Sequence, residues 1–204
     1  KKLVNNYSIE LAEFIGVMLG DGNIWERKGF YYVRVCGHSI EDKEYLINHI
    51  KPLIKKIFNI NMQTYIHKTN NELYLSKGSK DFVFTLKNYG LKSGDKIKNN
   101  KGIPEWVFSS NNYLKACIRG LIDTDGSVTP ITNRNYTYIW FTNKNAALRD
   151  DFERAMKILG YKISKWNFSG TPETYIGNKK GIRKFYKEIG FNNPKHKQRF
   201  MMPL

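Results

Sequence analysis

The chain repeats itself, and that duplication restricts its fold more than any other feature of the sequence, because each half must be able to build the same unit. Two apolar stretches mark the copies: LAEFIGVMLGDG from Leu11 to Gly22 and YLKACIRGLIDTDG from Tyr113 to Gly126. Their terminal acids, Asp21 and Asp125, stand 125 − 21 = 104 residues apart, about half of a 204-residue chain. The segments downstream of the two stretches also match. In the first copy Phe30 to Val35 alternates as a half-buried strand, and Glu41 to Phe58 carries Leu46, Ile50, Leu53, Ile54 and Ile57 at helical spacing. Gln63 to His67 and Glu72 to Ser76 then read as strands, and Lys80 to Leu91 as a closing helix. In the second copy Tyr136 to Thr142 is the strand, Ala146 to Leu159 the helix, Lys162 to Phe168 and Glu173 to Gly177 the later strands, and Gly181 to Ile189 the last helix. The pattern predicts an α+β fold of two pseudo-symmetric αββαββα repeats, joined at a central two-helix interface. Residues 1–98 and 111–204 form the repeats and residues 99–110 link them. The wider stretch from Lys92 to Ser110, rich in Lys, Asn, Gly and Ser, reads as an exposed connection.

The two apolar helices are expected to touch. Residues four apart share a helix face, so Ala12, Gly16 and Gly20 make a stripe with almost no side-chain bulk, and Ala116, Gly120 and Thr124 repeat it. A glycine inside a helix costs about 1 kcal/mol relative to alanine, so a compensating close approach of two backbones is the natural reading. If the stripes pack in parallel, Asp21 and Asp125 arrive side by side. Each then sits at a helix C-terminus, where the macrodipole disfavours negative charge, and each repels the other. A cation is expected to join them. With no Cys or His cluster nearby in sequence, a hard divalent ion with oxygen ligands, such as Mg²⁺, fits the donors. Gly22 and Gly126 stand where a left-handed C-cap is usual.

These segments resemble the motif that names the LAGLIDADG homing endonucleases. Ile118-Arg119-Gly120-Leu121-Ile122-Asp123-Thr124-Asp125-Gly126 matches it at Gly, Leu, Ile, both Asp and the last Gly. Phe14-Ile15-Gly16-Val17-Met18-Leu19-Gly20-Asp21-Gly22 is a looser copy in which Leu19 replaces the earlier acid, so Asp123 has no counterpart and takes a non-catalytic role. The resemblance is to the single-chain, two-motif branch. It implies a four-stranded antiparallel saddle in each half lying in the DNA major groove, and a staggered break of both strands of a long site. Asp21 and Asp125 would bind the metal, with Gly20 and Thr124 beside them; the expected ion is Mg²⁺, with Mn²⁺ able to substitute. The family also places polar or basic residues near the acids, and repeat alignment nominates His38 and Lys144, with Gln63 a weaker candidate. The gene would be carried by an intron or an intein.

Charge and strand pattern agree with a duplex DNA partner. Lys and Arg outnumber Asp and Glu by 34 to 18, a formal charge of +16 spread along the whole chain, which favours a polyanion. Strand alternation puts Val33, Val35, Ile139 and Phe141 on one face and Tyr32, Arg34, Tyr138 and Trp140 on the other. The second set suits a groove-reading surface, where Arg pairs with guanine and aromatic rings meet thymine methyls or sugars. Tyr74, Lys165, Asn167 and Tyr175, with Glu72 and Ser76, are further candidates whose outward face the pattern leaves open. A second hydrophobic layer is the competing reading for the aromatics, Trp140 above all.

Other classes fit less well. Cys36 and Cys117 form no C-x-x-C pair, which argues against a zinc site or disulfide framework and suits a reducing compartment. No apolar run approaches membrane-spanning length, and the start from Lys1 to Asn6 lacks the stretch of a signal peptide. The reading is a monomer without an obligate protein partner, inside an archaeal cytoplasm or an organelle. Gly90 to Lys96 fails the phosphate-loop spacing. Taken as a D-x-D sugar-nucleotide site, Asp123-Thr124-Asp125 leaves the first copy unexplained. An RNA maturase or a non-cleaving DNA regulator on the same scaffold stays open, although two facing negative charges give a purely structural helix pair nothing.

Overall fold

The computed structural model describes residues 6–67, 69–131 and 136–200. The chain start from Lys1 to Asn5, where a signal peptide would begin, lies outside the described residues. At the centre lie α1 (Ile9–Gly20) and α6 (Asn111–Asp125), packed along each other. Serines start both: Ser8 Oγ accepts the Leu11 N–H at 3.0 Å, and Ser110 Oγ the Asn112 N–H at 3.2 Å. Every residue of α1 from Leu11 to Gly20 is buried, as a helix that is apolar on all sides but for Glu13 requires.

The small stripes meet as their spacing demands. A Cβ added to Gly16 would run into the Cys117 carbonyl and sit 3.1 Å from the Leu121 nitrogen. One on Gly120 would collide with the Glu13 carbonyl and lie 2.9 Å from the Val17 nitrogen. Only hydrogen fits between these backbones. One continuous apolar core extends from this contact into both halves.

In the first half α1 leads into a four-stranded antiparallel sheet, order β1-β2-β4-β3, built from β1 (Gly22–Arg27), β2 (Phe30–His38), β3 (Gln63–His67) and β4 (Glu72–Gly78). Val33, Val35, Leu73 and Leu75 point into the core, so Tyr32, Arg34, Glu72, Tyr74 and Ser76 occupy the outer face. The helix expected from Glu41 to Phe58 is interrupted: α2 (Lys43–Tyr45) passes through a π-helical turn (Leu46–Ile50) into α3 (Lys51–Phe58). The π turn contains His49, whose Nε2 meets the buried Glu13 carboxylate at 2.6 Å. The first half ends with α4 (Lys80–Asn88).

The second half repeats the plan with β5 (Gly126–Ile131), β6 (Tyr136–Thr142), α7 (Ala146–Ile158), β7 (Glu173–Ile176) and α8 (Lys179–Glu188). Its sheet has three strands among the described residues, order β5-β6-β7, where four were expected. The segment from Lys162 to Phe168 keeps one isolated bridge, Asn167 to Glu173. Side chains intercept its ladder: Ser164 Oγ accepts the Tyr175 N–H at 3.1 Å and Thr174 Oγ1 donates to the Ser164 carbonyl at 2.8 Å.

The connection between halves is not a loose exposed loop. Ile103 and Val107 are buried, and Trp106 stacks on Tyr7 at 4.3 Å and donates to the Tyr89 carbonyl at 2.9 Å. A short helix, α5 (Lys96–Asn99), precedes a 3-10 turn (Glu105–Ser109). The second half ends in a helix that the apolar pattern did not signal, α9 (Pro194–Arg199). These two short helices correspond: each comes after a positive-φ glycine, Gly90 or Gly190, that closes the preceding helix. Each docks on the opposite half. The α5 arm meets the start of α7, with Asn145 Nδ2 donating to the Lys96 and Lys101 carbonyls at 3.2 and 2.9 Å. The α9 arm meets the start of α2, with Asn193 donating to Asp42 at 2.9 Å and Arg199 pairing with Glu41 at 3.2 Å.

Glu13 ties the helices and one arm together. Its carboxylate meets Arg119 at 2.6 Å, His49 at 2.6 Å and Asn192 at 2.7 Å. Burial pushes this carboxyl up, but the hydrogen bond from His49 and the Arg119 charge outweigh burial and hold it at about 2. The folded value lies below the unfolded one, so the stabilisation is complete above pH ~4.3 and is lost as pH falls toward 2, on the order of 3 kcal/mol. In urea unfolding, Glu13→Gln should be markedly less stable than wild type at pH 6, and the gap should close by pH 2. An equal gap at both pH values would show that the carboxylate charge is not what matters.

No described helix is long and apolar enough to cross a membrane.

Candidate active site

The helix contact ends at two carboxylates. Asp21 is the C-cap of α1, its N–H bonded to the Val17 carbonyl, and its own carbonyl accepts the Cys36 N–H at 3.1 Å. Asp125 is the last residue of α6. A Cβ on Gly20 would lie 3.5 Å from Asp125 Cγ and would overlap the Thr124 hydroxyl, so the ends of the helices touch as closely as their middles. The glycines after the two acids are not left-handed caps, contrary to the sequence expectation. Gly126 is extended, at φ −92° and ψ 168°, and Gly22 is absent from the positive-φ residues. Glycine is required there by crowding: a Cβ would lie 2.6 Å from the Met18 carbonyl oxygen at Gly22 and 2.7 Å from Ile122 Cα at Gly126.

Burial and then the neighbouring Asp125 charge push the Asp21 carboxyl up to about 7. Burial also raises Asp125, against the charge of Lys96 and a 2.6 Å hydrogen bond from Asn143 Nδ2. Lys96, delivered by the α5 arm, brings a positive charge beside the two acids without pairing directly with either. Its Nζ donates to the Leu19 carbonyl at 3.1 Å and to the Gly20 carbonyl. Burial lowers the ammonium's pKa, and the charges of Asp125 and Asp21 oppose that shift.

On the other side Asp42 approaches Asp21 closely enough to raise its carboxyl further. Asp42 accepts the His38 N–H at 2.9 Å and pairs with Lys195 of the α9 arm at 2.7 Å.

The residues nominated from sequence divide. Lys144 is exposed and shares a hollow with Asp125, Lys96 and Asn143. His38 ends β2, but its Nδ1 accepts the Ile40 and Glu41 N–H groups at 3.3 Å, so the ring holds a turn. Gln63 is in the outermost strand, level with Ser76, Arg34 and Asn23. Three strand spacings, about 14 Å, separate it from β1, which places it on the sheet surface and away from the acids. Thr124 Oγ1 donates into its own helix, to the Gly120 carbonyl at 2.8 Å, and the Gly20 carbonyl is occupied by Lys96. Lys96 and Lys195 were not nominated. The signal was present in the repeat carried past Gly90 and Gly190, where a capping Asp95 is followed at once by Lys96 and a capping Asn193 is followed, after Pro194, by Lys195.

Outside this centre the two sheets expose aromatic and basic faces. Arg34 lies 4.1 Å over the Tyr74 ring and 5.3 Å over Tyr32. Tyr175 stacks on Tyr138 at 4.8 Å and meets Trp140 at 4.5 Å, so these half-buried rings form an outer layer over β6 and β7. Lys165 is exposed, and Asn167 bonds to Glu173 at 3.1 Å.

The family model described as the LAGLIDADG-like domain matches residues 112–190, the segment holding Asp125. This part of the chain is a LAGLIDADG-like domain. Compared by sequence with curated proteins, the chain matches none. Among solved structures it is similar to I-DmoI in complex with DNA and Mn, at 20% identity and TM-score 0.63 over 89% of this chain and 96% of that one. It is also similar to I-WcaI, a homing endonuclease bound to its DNA recognition sequence, at 15% identity and TM-score 0.62 over 96% and 87% of the two chains. The N-terminal LAGLIDADG domain of DUF199/WhiA aligns at 16% identity and TM-score 0.58 over 92% and 87%. Similarity over nearly the whole chain extends the LAGLIDADG fold to both halves.

The donors suit a hard ion. The two carboxylates are the oxygen donors at the helix ends, and no group of three or more His, Cys, Asp or Glu side chains that could hold a metal occurs among the described residues. A divalent ion between Asp21 and Asp125 would therefore complete its shell with water or phosphate oxygens.

Proposed function

We propose that this chain is a divalent-metal-dependent, site-specific DNA endonuclease that cuts both strands of a duplex as a single chain. The observation that carries it is the arrival of one carboxylate from each half at the touching ends of α1 and α6, both raised by burial, with a lysine enclosed beside them. Two like charges are brought out of water at a cost that structure alone does not repay. Mg²⁺ is the ion proposed, with Asp21 and Asp125 as its holders.

Bound there, the ion would supply an activated water and charge neutralisation at the scissile phosphate. The remaining work belongs to side chains. Asn143 fixes the orientation of Asp125, and the ammonium of Lys96 faces the negative charge that accumulates when a phosphodiester is attacked. Lys144, which lines the same hollow, is proposed to hold a neighbouring phosphate. Arg34, Tyr32, Tyr74, Tyr138, Trp140, Tyr175, Lys165 and Asn167 are proposed as the groove-facing set. The similarity to DNA-bound I-DmoI and I-WcaI supports this assignment through the fold.

Digestion of a randomised duplex library with magnesium, followed by sequencing of the ends, tests the proposal. Recurrent paired cuts at one sequence are expected; enrichment of a sequence without cut ends would mean a non-cleaving regulator. Duplex affinity should also fall steeply with salt, because each phosphate neutralised releases about 0.9 of a counterion. For six or more contacts, going from 50 to 200 mM salt should weaken binding by roughly 10³-fold. A flat response in a titration series would rule out a basic DNA-facing surface.

A further inference from the structure

Each arm carries a lysine in the first turn of its short helix, Lys96 directly after the capping Asp95 and Lys195 two residues after the capping Asn193, but the residues that receive the arms differ in charge. Where the α5 arm docks, the receiving residue is Asn145, a neutral amide, and the Lys96 ammonium is left to the helix end beside the acid pair. Where the α9 arm docks, the receiving residue is Asp42, and its carboxylate takes the Lys195 ammonium directly at 2.7 Å. The pair is well enclosed, with side-chain exposures of 18% for Lys195 and 11% for Asp42, so solvent screens it little. Asp42 is also held by the His38 N–H and by Asn193, which leaves it little freedom to move with the lysine.

We infer that Asp42 withholds Lys195 from the acid pair and so orders the two strand cuts: the strand served by Lys96 is cut first, and the second waits for the Asp42–Lys195 pair to open. Asp42 is thus a positioning residue acting through Lys195. The inference rests on the proposed nuclease activity and adds an asymmetry that the duplicated fold does not require.

Strand-resolved cleavage of an end-labelled duplex tests it in the full chain. Wild type should accumulate a duplex nicked always in the same strand. Asp42→Asn should release Lys195 and shorten the interval before the second cut by about tenfold, the effect of 1.4 kcal/mol. Lys195→Met should do the opposite and leave the nicked duplex uncut, and Lys195→Arg should restore the second cut. A merely structural arm would make Asp42→Asn and Lys195→Met slow both cuts alike; that result, or an unchanged interval in a folded Asp42→Asn protein, overturns the inference. If Asp42→Asn fails to fold, the Lys195 pair decides: loss of both cuts together in Lys195→Met counts against it. A wild-type chain that cuts neither strand defeats the nuclease reading first, and this inference with it.

Discussion

Replacing either Asp21 or Asp125 by asparagine should reduce double-strand cleavage by about three orders of magnitude or more, while binding to the target duplex stays within a few-fold of wild type. The size reflects the role. A carboxylate that holds the divalent ion supports several kcal/mol of charge stabilisation at the phosphate, and each 1.36 kcal/mol is a decade in rate. Asparagine keeps the shape and the hydrogen-bonding reach but gives up the charge. Binding should survive because the proposed contact side chains, on β2, β4, β6, β7 and the segment 162–168, do not include the two acids. Any change should be toward tighter binding, since each variant removes a negative charge facing the phosphates. Cleavage and gel-shift measurements on the same preparation separate the two effects. Wild-type cutting by both single variants would remove the catalytic assignment, whatever their affinity.

The second large effect is on stability. Gly120→Val should destabilise the protein by about 3 kcal/mol, the upper end for overpacking, because the first added carbon already collides with the Glu13 carbonyl and lies 2.9 Å from the Val17 nitrogen. Both obstacles are backbone, so no side-chain rotation relieves them. For a chain of this length the melting temperature should fall by roughly 6–12 °C. Gly170→Ala is the matched control: an added Cβ there meets nothing within 4 Å, and no shift beyond about 0.5 kcal/mol is expected. A melting curve for Gly120→Val that overlays wild type would mean that the helices can separate without cost.

The parts of the molecule that obey a local period were readable from sequence. Val33 and Val35, or Ile139 and Phe141, alternate with outward residues because a strand turns successive side chains to opposite faces, and burial tracks that alternation. The acid pair was readable for a related reason: Gly16, Gly20 and Gly120 leave no function for their spacing except close contact. The arms were not. Helices α5 and α9 have four and six residues, too few for an apolar period, and the residues that fix them lie in the opposite half. Lys96 and Lys195 therefore look like surface lysines until Leu19, Gly20 and Asp42 are seen next to them. The missing fourth strand of the second sheet has a similar origin. Ser164 and Thr174 are ordinary strand residues by composition, and only their positions opposite one another let their hydroxyls replace ladder bonds.

Because each arm ends in the territory of the other repeat, neither repeat is a self-sufficient module. The boundary that sequence suggests, between residues 98 and 99, falls within α5 and would cut the arm before the Lys101 carbonyl that Asn145 grips. Anyone recombining such halves to change target choice would do better to place the seam beyond that grip and to transplant each arm together with its receiving residue. Compatibility between parents then comes down to two handshakes, one at Asn145 and one at Asp42, and a mismatch at either would leave an arm unseated.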